Sequence, residues 1–376
     1  MSASYKAVVL TTVHNRNDTR VFHKECPAIG GMEAVDLSVL VADGKGDEQR
    51  ELYNIIDCGK APFGRLGRVF LIQFAVALKL FNIRPKVVHI HDPELTPLAI
   101  LMSIFGIKII YDVHEDVPLD ILDKYWLPKI VRPFISKCFS LFEKLSVLFF
   151  WKVIAATPSI YRKFNQDKTV LIENFPMLEE FEFYNQVANK NVSINNKFVY
   201  VGAITRIRGI VPLINSFASN NHKSSMTLCL AGEFSPLELL SEVKQLDGWS
   251  NVNYVGQVGR HELKNIFSDC VAGVVTFLPA NNHLASQPNK LFEYMAAGVP
   301  IIASDFPAWR DIIATVNCGV LVDPESAEAI YAGMKYLVDN PAEAALMGQR
   351  GRAAVMSSYN WGTQSTKLTA IYAELL

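Results

Sequence analysis

The chain has 376 residues, half of them hydrophobic and 19% charged, with 36 Lys and Arg against 37 Asp and Glu. That length exceeds one small domain and fits two of roughly 150–200 residues, and the apolar content excludes a chain disordered as a whole. A formal net charge of −1 excludes a general nucleic-acid binder, so any basic surface must be local.

The first apolar run, Ala7 to Val13, follows Lys6 and ends at the polar His14-Asn15-Arg16-Asn17-Asp18. It is too short for a signal peptide and lacks a cleavage region, so it is expected to be a first strand. Similar runs follow at Val35–Val41, Val87–His91, Lys108–Tyr111, Val153–Ala156 and Thr169–Ile172, with helical spacing over Arg68–Phe81. Buried runs alternating with amphipathic helices predict a parallel sheet covered on both faces. The pattern breaks after Asn174-Phe175-Pro176, and residues 177–197 are expected to be a linker.

A second alternation begins at Phe198. Its predicted strands are Phe198–Val201, Thr227–Ala231, Val252–Val255, Val271–Phe277, Val299–Ala303 and Gly319–Val322. Its predicted helices include Ser235–Leu246, Arg260–Asp269, Asn289–Ala297, Ser326–Asp339 and Pro341–Ser357. The fold class is therefore α/β: two doubly wound, Rossmann-like domains, 1–176 and 198–358, with a cleft between them. Ligands in such sheets sit beyond the carboxyl ends of the strands.

Lys124 to Lys168 carries nine Lys or Arg against two acids, Glu143 and Asp167, and includes Trp126, Phe134, Phe139, Phe142, Phe149, Phe150 and Trp151. Such a stretch fits either an anionic membrane surface or a core helix with solvated lysines. No run of 18 uncharged apolar residues exists, so no transmembrane helix is expected. The six cysteines lie at least 32 residues apart, without a Cys-x-x-Cys pair. They read as reduced core residues of a cytoplasmic protein.

There is no P-loop, no Gly-x-Gly-x-x-Gly after the first strand and no Gly-x-Ser-x-Gly elbow. His89, His91 and Asp92 lack a further metal ligand of suitable spacing, so no metal is expected. Tyr200-Val201-Gly202-Ala203-Ile204-Thr205-Arg206-Ile207-Arg208-Gly209 is a strand running into a glycine turn with two arginines. Backbone amides and guanidinium forks there suit phosphate, although an ordinary turn with exposed arginines fits equally. In Ser286 to Pro300, Pro288 starts a helix that carries Asn289, Lys290 and Glu293 on its first turns. A cation and a carboxylate at that end can hold a phosphate and a ribose diol together.

This segment resembles the donor-site helix of retaining family 4 glycosyltransferases, which have the GT-B fold. Asn17-Asp18-Thr19-Arg20-Val21-Phe22-His23-Lys24-Glu25, His89-Ile90-His91-Asp92-Pro93-Glu94-Leu95 and Tyr111-Asp112-Val113-His114-Glu115 are similar to motifs of the branch that builds bacterial capsule, exopolysaccharide and O-antigen. Tyr359-Asn360-Trp361 resembles the start of a last helix, 359–376, that crosses back onto the first domain.

The resemblance implies roles. Glu293 holds the nucleotide ribose. Gly202, Arg206, Arg208, Asn289, Lys290 and Leu291 complete the donor site. His114, with Glu115 beside it, lies at the transferred sugar. His14, Arg16, Asp18, Arg20, His91 and Asp92 lie on the acceptor side. Two departures stand out: Ala285 where the pattern has a first glutamate, and Ala203 where an arginine is usual.

The implied reaction moves a sugar from a nucleoside-diphosphate donor, UDP- or GDP-linked, to a lipid-linked or polysaccharide acceptor. It needs no cofactor. Fixed cations at Arg206, Arg208 and Lys290 stabilise the departing diphosphate, and the acceptor attacks from the departing face. A nucleotide-sugar 2-epimerase and a non-catalytic partner subunit remain the alternatives at this point.

Overall fold

Both sets of apolar runs form parallel sheets, because strands buried on both faces need β-branched and aliphatic residues at nearly every position. The computed structural model describes residues 4–61, 64–124, 126–185, 196–218 and 226–376. It divides into one unit of Met1–Asn174 with Gly362–Leu376 and a second of Phe175–Trp361.

The first unit holds β1 (Tyr5–Leu10), β2 (Val35–Val41), β3 (Glu48–Gln49), β4 (Asn54–Asp57), β5 (Val87–Ile90), β6 (Lys108–Val113), β7 (Lys152–Ala155) and β8 (Thr169–Leu171). Their order is β3-β4-β2-β1-β5-β6-β7-β8. All neighbours are parallel except β3 and β4. Neither short strand was expected: β3 is a polar pair at the sheet edge, and β4 offers only Ile55 and Ile56 as apolar positions. The chain runs from β1 toward β2 on one side and returns through β5 on the other. The loops after β1 and β5 therefore diverge, which opens a crevice at their carboxyl ends.

β1 ends at Leu10, not at Val13. The Asp92 carboxylate accepts hydrogen bonds from the Thr12 and Val13 amides and the Thr11 hydroxyl, and bends the chain aside. On one sheet face Val8, Leu10, Val88, Ile90, Ile109 and Tyr111 pack under Val76 and Leu80 of the helix Gln73–Ile83 and Leu98 and Met102 of the helix Thr96–Ile104. The helix Trp361–Ala373 adds Tyr372, whose carbonyl accepts from the Tyr5 hydroxyl at 2.7 Å.

Lys124–Lys168 is not one amphipathic stretch. It contains the helix Arg132–Ser146, then β7 with Val153 and Ile154 fully buried, then the short helix Pro158–Tyr161. No helix among the described residues is long and apolar enough to cross a membrane.

The second unit holds β9 (Lys197–Val201), β10 (Thr227–Ala231), β11 (Val252–Gly256), β12 (Ala272–Val275), β13 (Ile301–Ser304) and β14 (Gly319–Val322). Their order is β11-β10-β9-β12-β13-β14, all parallel, with the switch between β9 and β12. Alternate residues of β9 feed opposite cores: Phe198 and Tyr200 join one, Val199 the other. Part of the expected linker is built into this unit. Leu178–Asn185 forms a 3₁₀ helix with Phe181 buried, and Arg352 donates to the Phe181 carbonyl. Residues 186–195 of that linker lie outside the described residues.

Candidate functional site

In the second unit the loops after β9 and β12 flank the first turn of the helix Asn289–Ala297. Its N-cap is Pro288 and no side chain caps it, so its first amides and the positive end of its dipole suit an anion. Lys290 is 9% exposed. Its ammonium lies 4.4 Å from the Tyr200 ring centre, and its one hydrogen bond among the described residues is to the Tyr200 hydroxyl at 3.5 Å. Burial, helped by the Arg208 charge and opposed by Glu293, pushes Lys290 down to about 7. This is a buried cation held without a bonded carboxylate, which is the condition of a site built to receive negative charge.

Gly202 makes room for that lysine. Its φ is +110°, and a Cβ there would fall 2.6 Å from Lys290 Cε. Arg208 is half-buried, stacks 5.4 Å from the Phe277 ring centre and donates to the Ala203 carbonyl. The next glycine, Gly209, has φ +76°, and a Cβ would come within 1.7 Å of the Thr276 carbonyl oxygen. Gly209→Ala is expected to destabilise the protein by about 3 kcal/mol or more, read from the urea midpoint.

The other expected donor residues are placed unequally. Asn289 is exposed and Glu293 half-buried on the same helix. Arg206 is an exposed residue paired with Glu242, so Arg208, not Arg206, shares the pocket with Lys290. Leu291 offers the site no side chain: it is fully buried in the core, and its amide already donates to the Pro288 carbonyl. Periodicity explains this, because Leu291 follows Lys290 on the helix and faces the sheet.

In the first unit the loops after β1, β5 and β6 bring together His14, His91, Asp92 and His114. His91 Nδ1 lies 2.9 Å from His114 Nε2, so one nitrogen donates and the other accepts. Burial pushes His114 down to about 4, although the Asp112 charge opposes it. Burial, with the His89 and His114 charges, takes His91 well below the ordinary range. Both rings are thus neutral at pH 7. His14 Nδ1 sits 3.2 Å from Asp92 Oδ1. Burial opposes its charge, but the hydrogen bond and charge of Asp92 outweigh it and raise His14. Glu115 is exposed on the same loop.

Three residues expected on the acceptor side have partners within the first unit. Asp18 caps the π-type helix Thr19–Glu25 by accepting from the Val21 amide at 2.9 Å. Arg16 grips Asp43 with two nitrogens at 2.9 and 2.8 Å and reaches Glu48 at 3.0 Å. With Glu48 it lines an open depression to which Asn15, Asn17, Lys45 and Arg50 also contribute. Arg20 is 4% exposed and binds Glu25 at 2.8 Å and Asp112 at 3.0 Å. A loop arginine looks the same in sequence whether it meets a ligand or a buried carboxylate.

Glu25 and Asp112 entered the sequence reading only as members of longer motifs, and His89 only as a metal candidate. Together with His91 they place four potential ligand atoms within 4.8 Å of one another, all buried. The further ligands absent from the local His89-His91 spacing thus arrive from distant segments. The set suits Arg20 better than a dication. The guanidinium already pairs with both carboxylates, and a divalent ion there would sit against a fixed positive charge. His89 Nδ1 also meets the Tyr372 hydroxyl at 3.1 Å.

Residues 184–354 match the family model Glycosyl transferases group 1. Among curated proteins, the chain is 23% identical over 179 residues to glycogen synthase of Mycobacterium tuberculosis, 47% of this chain and 42% of that protein. It is 28% identical over 85 residues to MMP alpha-(1->4)-mannosyltransferase of Mycolicibacterium hassiacum, 22% of this chain and 21% of that protein. The matched regions thus span less than half the length of these relatives.

Solved structures agree over nearly the whole chain. Sucrose-phosphate synthase of Thermosynechococcus elongatus has a TM-score of 0.77 at 17% identity, covering 99% of both chains. A glycosyltransferase of Rickettsia africae has 0.74 at 14%, covering 99% of this chain and 98% of that one. HepE of Anabaena in complex with UDP and glucose has 0.72 at 12%, covering 98% of this chain and all of that one. The fold is GT-B, with two Rossmann-like halves.

Proposed function

We propose that this chain is a retaining, family 4 glycosyltransferase of bacterial surface-glycan synthesis. It moves a sugar from a UDP- or GDP-linked donor to a lipid-linked or polysaccharide acceptor at the inner face of the cytoplasmic membrane. The observation that carries the reading is Lys290, a buried ammonium at an uncapped helix start with Arg208 beside it. A diphosphate supplies the charge this pocket lacks. The likeness in fold to a protein crystallised with UDP and glucose supports a uridine nucleotide.

In the reaction the sugar–phosphate bond breaks and negative charge accumulates on the leaving diphosphate. Lys290, Arg208 and the helix amides stabilise it. Each such donor is worth a few kcal/mol of barrier. Glu293 accepts from the ribose hydroxyls. The departing phosphate takes the proton of the acceptor hydroxyl, which attacks from the same face and retains configuration. Neutral His114 donates a hydrogen bond to the sugar. Its depressed pKa keeps it in that form across pH 5–9, so transfer should show no acid limb from it above about pH 5.

A thermal-shift panel of UDP, GDP, ADP, dTDP and their sugars tests the donor. A nucleotide at 100 times its Kd should stabilise by about 2.7 kcal/mol. The shift should vanish in Glu293→Ala, and a shift that persists there removes the ribose assignment. His114→Ala should keep the shift but lower transfer about 10²-fold.

A further inference from the structure

The helix Arg132–Ser146 is amphipathic with its faces reversed. The positions it turns to the protein are Arg132, Ser136, Phe139, Ser140, Glu143 and Ser146, five of them polar. Ser136 donates to the Pro118 carbonyl, Arg132 to the Leu127 and Leu122 carbonyls, and Glu143 accepts from the Tyr111 hydroxyl. The apolar stripe faces outward: Phe134 is 70% exposed, Leu141 60%, and Ile130 just before the helix 92%. A surface helix in water places its apolar stripe inward. This one needs a non-aqueous partner.

The stripe continues onto neighbouring helices. The Ser103 hydroxyl donates to the Phe149 carbonyl at 2.5 Å, and Phe105 meets the Phe81 ring at 5.9 Å. The segments 70–81 and 101–105 thus adjoin 126–149 on the sheet face covered by one layer of helices. They present Phe70, Phe74, Ile104 and Phe105, each more than 60% exposed. Among the described residues, eighteen of the twenty-eight exposed large hydrophobic side chains fall in these three segments. So the patch is one surface and not the usual scatter of single residues.

Charge identifies the occupant. Residues 64–168, which include all three segments, hold fifteen Lys or Arg against nine Asp or Glu. Four of those acids, Asp92, Asp112, Asp116 and Glu143, are buried. A chain of net charge −1 has thus gathered a local excess of positive charge around its most apolar surface. Two copies meeting through this face would oppose like charges. An anionic bilayer takes the apolar side chains into its acyl boundary and pairs its headgroups with the lysines around them.

We infer that residues 70–81, 101–105 and 126–149 form a single docking surface for an anionic phospholipid membrane. This deepens the membrane part of the proposed function, naming the surface and the lipid charge, and it stands apart from the donor site.

Flotation with vesicles tests it, comparing phosphatidylcholine alone with a mixture containing about one-third phosphatidylglycerol. Binding should be at least tenfold tighter to the anionic vesicles and should fall at least tenfold between about 0.05 and 0.5 M salt. The pairs Phe134→Glu/Leu141→Glu and Phe70→Glu/Phe74→Glu, all exposed, should each lower it at least tenfold with melting unchanged. Lys137→Ser/Lys144→Ser should remove the preference for anionic lipid without altering the apolar face. Equal binding to both vesicle types overturns the inference. So does a solution dimer that the Glu pairs dissolve, which makes the face a contact between copies. An effect of the 134/141 pair alone overturns the composite surface. The nucleotide-induced thermal shift, measured on the same variants, should be unchanged, so a failed donor reading is separable from a failed surface.

Discussion

Lys290→Met is expected to raise the thermal midpoint of the free protein while lowering sugar transfer about 10²–10³-fold. The two effects share one cause. Burial pushes the lysine from 10.5 down to about 7. Below pH 7 the ammonium is charged in both folded and unfolded chains, and the cost of burying it is complete. Between pH 7 and 10.5 the folded chain releases the proton first and the cost declines. Above 10.5 none remains. The shift corresponds to a cost of about 4–5 kcal/mol at neutral pH, as an order of magnitude. Methionine fills the same volume without a charge, so its gain in midpoint should shrink as pH approaches 10.

A bound diphosphate restores the lysine's preference for its proton. Nucleotide binding at pH 8 should therefore take up protons, measured as a dependence of binding enthalpy on the ionisation enthalpy of the buffer. Binding without proton uptake, or a Lys290→Met variant that transfers sugar at the normal rate, would remove the lysine from the donor site.

The second large effect belongs to Arg20. Arg20→Met leaves Asp112 and Glu25 buried without a cation, and it is expected to destabilise the protein by about 3–5 kcal/mol in urea. Burial works against the Asp112 charge, yet Arg20 and the surrounding histidines hold its pKa well below the usual carboxylate range. That stability is present above the unfolded value near 4 and is lost as pH falls through the lower folded value. The acid-sensitive part should therefore disappear in the variant. Arg20→Lys should recover only part, because one ammonium cannot hold Asp112 with two nitrogens and reach Glu25 as well. Combining Arg20→Met with Glu25→Gln and Asp112→Asn should restore most of the loss, since no charge is then stranded. An Arg20→Met protein of normal stability would show that the cluster carries its charge elsewhere.

The strands and most helices were legible because their signals are local. Period-two and period-3.6 burial can be read over ten residues, and Pro288 and Gly298 mark the ends of the helix that carries Lys290. The pocket around Lys290 was legible for the same reason, since its parts lie in two short segments. The cluster of Arg20, Glu25, His89 and Asp112 was not. Its members are joined by sheet order, and nothing near Arg20 reveals that a carboxylate ninety residues on will meet it. The pairing of Arg16 with Asp43 and of Arg206 with Glu242 was illegible on equal grounds, because a charge in a loop does not announce its partner. The helix Arg132–Ser146 was legible as amphipathic, but which face turns inward depends on the hydrogen bonds of Ser136 and Glu143, and those are tertiary.

The return of residues 362–376 to the first unit gives that unit an unusual order of assembly. Its first 174 residues are synthesised before the whole of Phe175–Trp361, and its closing helix only afterwards. At typical elongation rates the interval is roughly 10–40 s. During it, His89 lacks the Tyr372 hydroxyl and Tyr5 lacks its carbonyl partner. The second unit, continuous in sequence, can fold within that interval. The half of the protein that leaves the ribosome first is therefore the half completed last, and its apolar, basic helix layer is displayed while its interior is still open.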